Sequence, residues 1–256
     1  MTTLLWDQHT CLPLHTETEI DPLTRYQYDG GTVLSVNAGY SPHSFNDAVA
    51  LLHHYRAAID AHPGLDLADT LDEVDAATRA GRIAVVFDLE DSRPLDDDLE
   101  NVRNLATLGV RTMLPTYNNA NRAGSGCLDR TDGGLTAWGH AVVAELNAVG
   151  IFLGPNTPTL DAMTRHLEYA VELVGVEHVG VSTDFSFDTA DFNDELQRNP
   201  HLFNDSYTRW GPIQWMPPET FVTLGEHLRG RGWRSRDIQA VLGGNFYRVA
   251  QRTWRT

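Results

Sequence analysis

Short runs of consecutive apolar residues recur along the chain and alternate with longer stretches in which apolar positions return every three or four residues. The first pattern is that of a buried parallel strand, and the second that of a helix with one face on a core. Strands are predicted at Leu4–His9, Thr32–Ala38, Ile83–Glu90, Arg111–Tyr117, Ile151–Gly154 and His178–Asp184. Helices are predicted at Phe45–Ala61, Leu67–Arg79, Leu95–Leu108, Leu135–Val149 and Thr159–Val174, the last showing the spacing in Leu167, Val171 and Val174. The tail from Pro217 to Trp254 reads as helical, opened by Pro217-Pro218-Glu219 and broken at Gly230-Arg231-Gly232. Ser186–Met216, rich in Asn, Pro, Asp and aromatics, reads as a long loop on the strand-exit side. Alternating β and α units define an α/β chain built on a parallel sheet, in one domain over residues 1–256.

In such folds the reactive groups gather at the carboxyl ends of the strands. Four predicted strands end in chemistry-bearing residues: Asp7, His9 and Cys11; Asp88, Glu90 and Asp91; Tyr117, Asn118 and Asn119; and Asp184. His9 and Cys11 are two apart on an extended backbone, so both side chains take the same face, within reach of one metal ion. The same spacing also occurs in a strand end that carries a satisfied histidine and a buried cysteine. Glu90 is delivered into the same layer as His9, as a carboxylate able to ligate or bridge metals. Asp184 is placed to orient or deprotonate a water. His15, His43 and His201 fall in exit loops and remain candidate ligands. His53, His54, His140 and His166 fall within helices, and His178 opens its strand at the wrong end for a site.

Composition narrows the chemistry. The formal net charge of -16 argues against nucleic-acid and anionic-membrane partners. Every one of the 19 basic residues is arginine, so Schiff-base lysines, phosphate-loop lysines and carbamylated-lysine metal bridges are excluded, and any metal bridge is a carboxylate. The two cysteines, Cys11 and Cys127, are expected as free thiols. No apolar run reaches the ~20 residues of a membrane span and no leader is evident in the first thirty residues, so a cytoplasmic protein is the expectation.

Taken in order, these segments resemble the membrane dipeptidase (renal dipeptidase) family of zinc metallopeptidases. Asp7-Gln8-His9-Thr10-Cys11-Leu12-Pro13 resembles the family's opening Asp-x-His-x-Asp-x-Pro segment, and Val86-Phe87-Asp88-Leu89-Glu90 the strand that ends in its bridging glutamate. Leu108 to Asn118 resembles the next strand, Gly134-Leu135-Thr136-Ala137-Trp138-Gly139 with Glu145-Leu146-Asn147 the following helix, Val179 to Phe185 the Gly-x-Asp-Phe strand, and Gly244 to Val249 the closing helix. The resemblance implies the (β/α)8 TIM-barrel lineage of the metal-dependent hydrolases. It implies hydrolysis of a dipeptide or related small amide by metal-activated water, with His9 and Glu90 as zinc ligands and Asp184 assisting the water.

Three departures accompany it. Cys11 stands where the family has a ligating aspartate, which keeps a donor and favours zinc. Tyr117 stands where a histidine meets the substrate. After Gly150 the chain runs directly into Ile151-Phe152-Leu153-Gly154, with an apparent internal deletion of the elements that carry the second metal's histidines and the substrate's arginine. The resulting expectation is an incomplete barrel of about six strands with one zinc rather than two, held by His9, Cys11 and Glu90, with Asp184 and Tyr117 as catalytic residues. The alternative is a shortened, non-catalytic member that keeps the scaffold and at most one metal. Exposed sheet edges in an incomplete barrel add the expectation of a homo-oligomer.

Overall fold

The central strands of the sheet are apolar on both faces, which is what makes it a buried sheet with helices on either side. In a computed structural model, which describes residues 3–146, 159–203 and 213–254, strand β1 (Leu5–Cys11) pairs with β2 (Thr32–Asn37) and β2 with β4 (Ile83–Leu89). The far edge of β4 is shared: β3 (Leu65–Leu67) lies along its first half and β5 (Val110–Met113) along its second. The short β6 (Phe185–Ser186) adds to the free side of β1. All pairings are parallel. Every residue of β2 and β4 is buried. Alternation sends Leu34, Val36, Val85 and Phe87 into one cluster and Val33, Ala84 and Val86, with Trp6, into another.

Helices α1 (Phe45–Asp60), α2 (Leu71–Arg79) and α3 (Glu100–Thr107) connect successive strands from β2 to β5, and α4 (Ala137–Leu146) and α5 (Leu160–Val174) lie between β5 and β6. α1 and α2 begin at full capping boxes: Ser44 with Asp47 and Thr70 with Glu73 satisfy each other's backbone N–H groups. α1 then buries Ala48, Leu51, Leu52, Tyr55 and Ile59, the three- and four-residue stripe of a core-facing helix. After β6 come α6 (Thr189–Arg198) and a helical tail, α7 (Pro218–Phe221), α8 (Leu224–Gly230), α9 (Ser235–Gln239) and α10 (Asn245–Thr253).

The α/β reading and the count of six parallel strands agree with this sheet, although the strands are not all the expected ones. Leu65–Leu67, three residues at the head of a helical pattern, is a strand that periodicity cannot separate from α2. The expected His178–Asp184 strand begins instead as a helical turn at Val176–His178, and its ladder pairing starts only at Phe185. The cause is a contact with β1: Ser182 and Thr183 direct their hydroxyls at Asp7, and Asp184 takes a left-handed backbone conformation. The expected loop Ser186–Met216 contains α6, started by Asp188 accepting from Ala190 and Asp191 N–H. The expected strand Ile151–Gly154 and the expected shortening after Gly150 lie outside the described residues. Among the described residues β5 and β6 do not pair, and no helix is long and apolar enough to cross a membrane.

Phe87 sits at the centre of this arrangement, fully buried on β4 and stacked on Tyr55 of α1 with ring centroids 6.1 Å apart. Phe87→Ala is expected to cost about 3–5 kcal/mol of stability, measured by urea unfolding followed by circular dichroism.

Candidate metal centre

His9 and Cys11 share one face of β1 beyond the irregularity that follows Asp7, and the exits of β4 and of the segment before β6 bring acids to meet them. His9 Nε2 lies 3.4 Å from Cys11 Sγ, 3.5 Å from Asp184 Oδ1 and 3.7 Å from Glu90 Oε1. Donor atoms of His9, Cys11 and Asp184 all fall within 4.8 Å of one another. On its other side the ring places Nδ1 2.8 Å from Asp88 Oδ1.

Each acid is held by its own backbone context. Asp7 is fully buried and accepts from Thr183 N (3.0 Å), Thr183 Oγ1 (2.6 Å) and Ser182 Oγ (3.0 Å), which staples the incoming segment to β1. Asp184 follows at φ 51, a left-handed conformation that costs a non-glycine residue energy, and its N–H donates to His9 O at 3.1 Å. Glu90 leaves β4 with its N–H on Gly39 O. Asp91, one residue on, turns away: it accepts from Ser41 Oγ, Asn121 Nδ2 and Arg93 N and so anchors the loop after β5. Cys11 also receives a long contact from Asn37 Nδ2, 3.9 Å from its sulfur, while Asn37 Oδ1 is fixed by Gly39 N.

The electrostatics of the cluster are those of crowded acid. Burial, reinforced by Asp184 and opposed by His9, pushes the Glu90 carboxyl up to about 8. Burial likewise pushes the Cys11 thiol up to about 11 against the pull of His9. Burial works to lower the His9 pKa but is outweighed by Asp88, Cys11 and Glu90, so the imidazole is raised well above its ordinary value. One nitrogen, one sulfur and two carboxyl groups thus converge, with burial favouring the protonated acid and thiol in the absence of a cation. A divalent cation takes the place of those protons, and the mixed N, S and O donor set suits zinc.

Cys11 and Glu90 of the centre open onto a cleft of about 150 Å³ whose lining also includes Asn37, Tyr40, His15, His43 and Tyr117. Its outer wall is α6 and the turn beyond it, contributing Asp191, Phe192, Glu195, Arg198 and Phe203. The Tyr40 hydroxyl donates to Glu195, Asn118 Nδ2 to Leu202 O at 3.0 Å, and Asn119 Nδ2 to His201 O at 2.9 Å. This wall therefore spans from β6 at one sheet edge to the exit of β5 at the other.

The structure gathers His9, Cys11, Glu90 and Asp184, and puts Tyr117 in the cleft wall beside Tyr40 and Phe203, at centroid distances of 5.7 and 6.3 Å. Asp184, expected only to act on water, stands as near His9 Nε2 as the expected ligands do. His15 and His43 line the cleft, whereas His201 does not. Cys127 is free and exposed, outside the centre. Sequence reading missed Asn37 and the whole α6 wall, for which the Asp188 cap was the available signal.

A parallel α/β sheet with a donor cluster at its strand exits has the form of a metal-dependent hydrolase of the TIM-barrel lineage. A family model for membrane dipeptidase (peptidase family M19) matches residues 14–154, more than half the chain, and the chain belongs to that family. The match contains Glu90 and Tyr117 but not His9, Cys11 or Asp184. Among solved structures, an amidohydrolase from Pseudomonas aeruginosa superposes with a TM-score of 0.78 at 18% identity, covering 98% of this chain and 97% of that one. Dipeptidase AC, a metallopeptidase of family M19, gives 0.67 at 16% identity over 99% of both chains. A metallopeptidase from Rhodobacter sphaeroides, liganded with a phosphinate mimic of the dipeptide L-Ala-D-Ala, gives 0.67 at 14% identity over 99% of this chain and 100% of that one. At these identities the likeness establishes the fold.

The raised Glu90 carboxyl has a thermodynamic sign. Between its ordinary value of 4.5 and about 8 the folded chain holds a proton that the unfolded chain has released, so stability is lost as pH rises through that window. Thermal melts of chelator-treated protein are expected to show Tm falling across this range. Glu90→Gln is expected to flatten the fall, and saturating zinc to reverse it.

Proposed function

We propose that this chain hydrolyses a dipeptide or a related small amide with one zinc ion held by His9, Cys11 and Glu90. The observation that carries the reading is the convergence of a thiol, an imidazole and two carboxyl groups beside a cleft that Cys11 and Glu90 line. When bound, the ion supplies a Lewis acid for the amide carbonyl and lowers the pKa of a water.

The chain's own residues do the rest. Asp184 has half of its side chain accessible, faces the cluster, and takes the proton of the attacking water. Glu90 is held at the cleft floor by burial and the backbone bond to Gly39, which keeps its carboxylate facing His9. Tyr117 offers its hydroxyl to the substrate from the wall, at the position where family members carry a substrate-contacting histidine. The aromatic faces of Tyr40, Phe192 and Phe203 shield the cleft from water and accept an apolar substrate side chain. The dipeptide mimic bound to the Rhodobacter sphaeroides metallopeptidase supports this substrate class.

Metal analysis together with turnover of a small dipeptide panel tests the proposal. The expected result is about one zinc per chain with measurable hydrolysis, given three protein ligands. His9→Ala is expected to abolish both. Asp184→Asn is expected to keep the zinc while kcat falls by ~10²–10⁴. Metal-replete protein without turnover of any panel member overturns the hydrolase reading and leaves the scaffold-keeping alternative.

A further inference from the structure

One buried carboxylate at the centre has no part in the scheme above. Asp88 is placed by β4 behind the His9 ring, with only 6% of its side chain exposed. Its Oδ1 lies 2.8 Å from His9 Nδ1, and its Oδ2 accepts from Ser35 Oγ, also at 2.8 Å. Ser35 is fully buried on β2, the strand between β1 and β4. Three adjacent strands thus contribute serine, aspartate and histidine to one hydrogen-bonded row. Both carboxylate oxygens are engaged, so the group cannot rotate without breaking a buried bond.

We propose that Asp88, locked by Ser35, is a positioning residue that keeps the His9 proton on Nδ1 and turns the Nε2 lone pair toward the metal position. A neutral imidazole has one N–H and one lone pair, and the partner of one nitrogen decides the state of the other. Nδ1 facing a fixed carboxylate carries the proton. Nε2 is then the free donor, and it is the nitrogen that faces Cys11, Asp184 and Glu90. The carboxylate also makes that nitrogen more basic, and loss of such outer partners lowers metal affinity by about 10–100-fold in other metal sites. Ser35 acts one step further out, by holding the orientation of Asp88. The metal consequence rests on the reading of this centre as a zinc site, whereas the tautomer assignment does not.

The test uses the full-length chain and two readouts. In the metal-free protein, long-range proton–nitrogen NMR is followed upward in pH until the His9 ring is neutral, and reports which nitrogen keeps the proton. Wild type is expected to keep it on Nδ1, and Asp88→Asn to shift it toward Nε2 or to a mixture. Zinc affinity, measured by competition with a chromogenic chelator, is expected to weaken by about 10–100-fold in Asp88→Asn. Ser35→Ala, which leaves the carboxylate in place, is expected to show a smaller loss in the same direction and provides a second variant should Asp88→Asn misfold.

An Nε2–H tautomer in wild type overturns the proposal. Weaker zinc binding with the His9 tautomer unchanged also overturns it, because that result assigns Asp88 to general packing. Absence of zinc binding to wild type counts against the hydrolase reading alone, since the tautomer still decides the role of Asp88.

Discussion

Alternation along β1 is the constraint on which the site depends. Past the irregularity between Asp7 and Thr10 a side-chain period of two puts His9 and Cys11 on one face, while Leu5 before it and Leu12 after it pack into the main cluster and Trp6 into the other. A slip of one residue against β2 would exchange those faces and leave the donors in apolar surroundings. The register is secured where β1 meets β2 at Leu5, Trp6 and Asp7, below an irregularity that ends at Thr10. The donors therefore sit at the point where the ladder gives way to the exit loop, firm on one side and open on the other.

The carboxylates of the centre divide into two kinds by their partners. Asp7 and Asp91 are saturated with hydrogen bonds from neighbouring segments and serve as internal rivets. Glu90 and Asp184 face one another across His9, with much less compensation. Burying acid without a counter-charge is unfavourable, and protein interiors tolerate it where a ligand restores the balance. The same region of sequence, Asp88-Leu89-Glu90-Asp91, supplies both kinds within four residues, separated by strand alternation and by the turn after β4.

Much of this was legible in the sequence because it is local. Runs such as Ile83 to Leu89 are apolar throughout, so strand, burial and the carboxylate at the exit follow from one pattern. His9 and Cys11 are two residues apart, and their shared face needs no tertiary information. What escaped is non-local or short. β3 is three residues long and owes its extended state to pairing with β4. Asp184 reached the centre by a left-handed backbone held by Asp7, 177 positions earlier in the chain, and no propensity encodes that contact. α6 was hidden because its composition is polar and it buries no residue of its own. It is held instead by side chains from distant loops, among them Tyr40 and Asn118.

That last feature separates the lifetime of the cleft from the lifetime of the fold. The outer wall is attached through a small set of polar contacts, the Tyr40 bond to Glu195 and the Asn118 and Asn119 bonds to the turn beyond α6, together with aromatic edges at Phe192 and Phe203. The sheet behind it is secured by two continuous apolar clusters. Among the described residues the wall is held by these polar bonds and by one small apolar cluster of Tyr40, Tyr117, Leu202 and Phe203, so its opening costs less than global denaturation. Release of that one peripheral segment would open the cleft while the donors on β1 and β4 stay fixed.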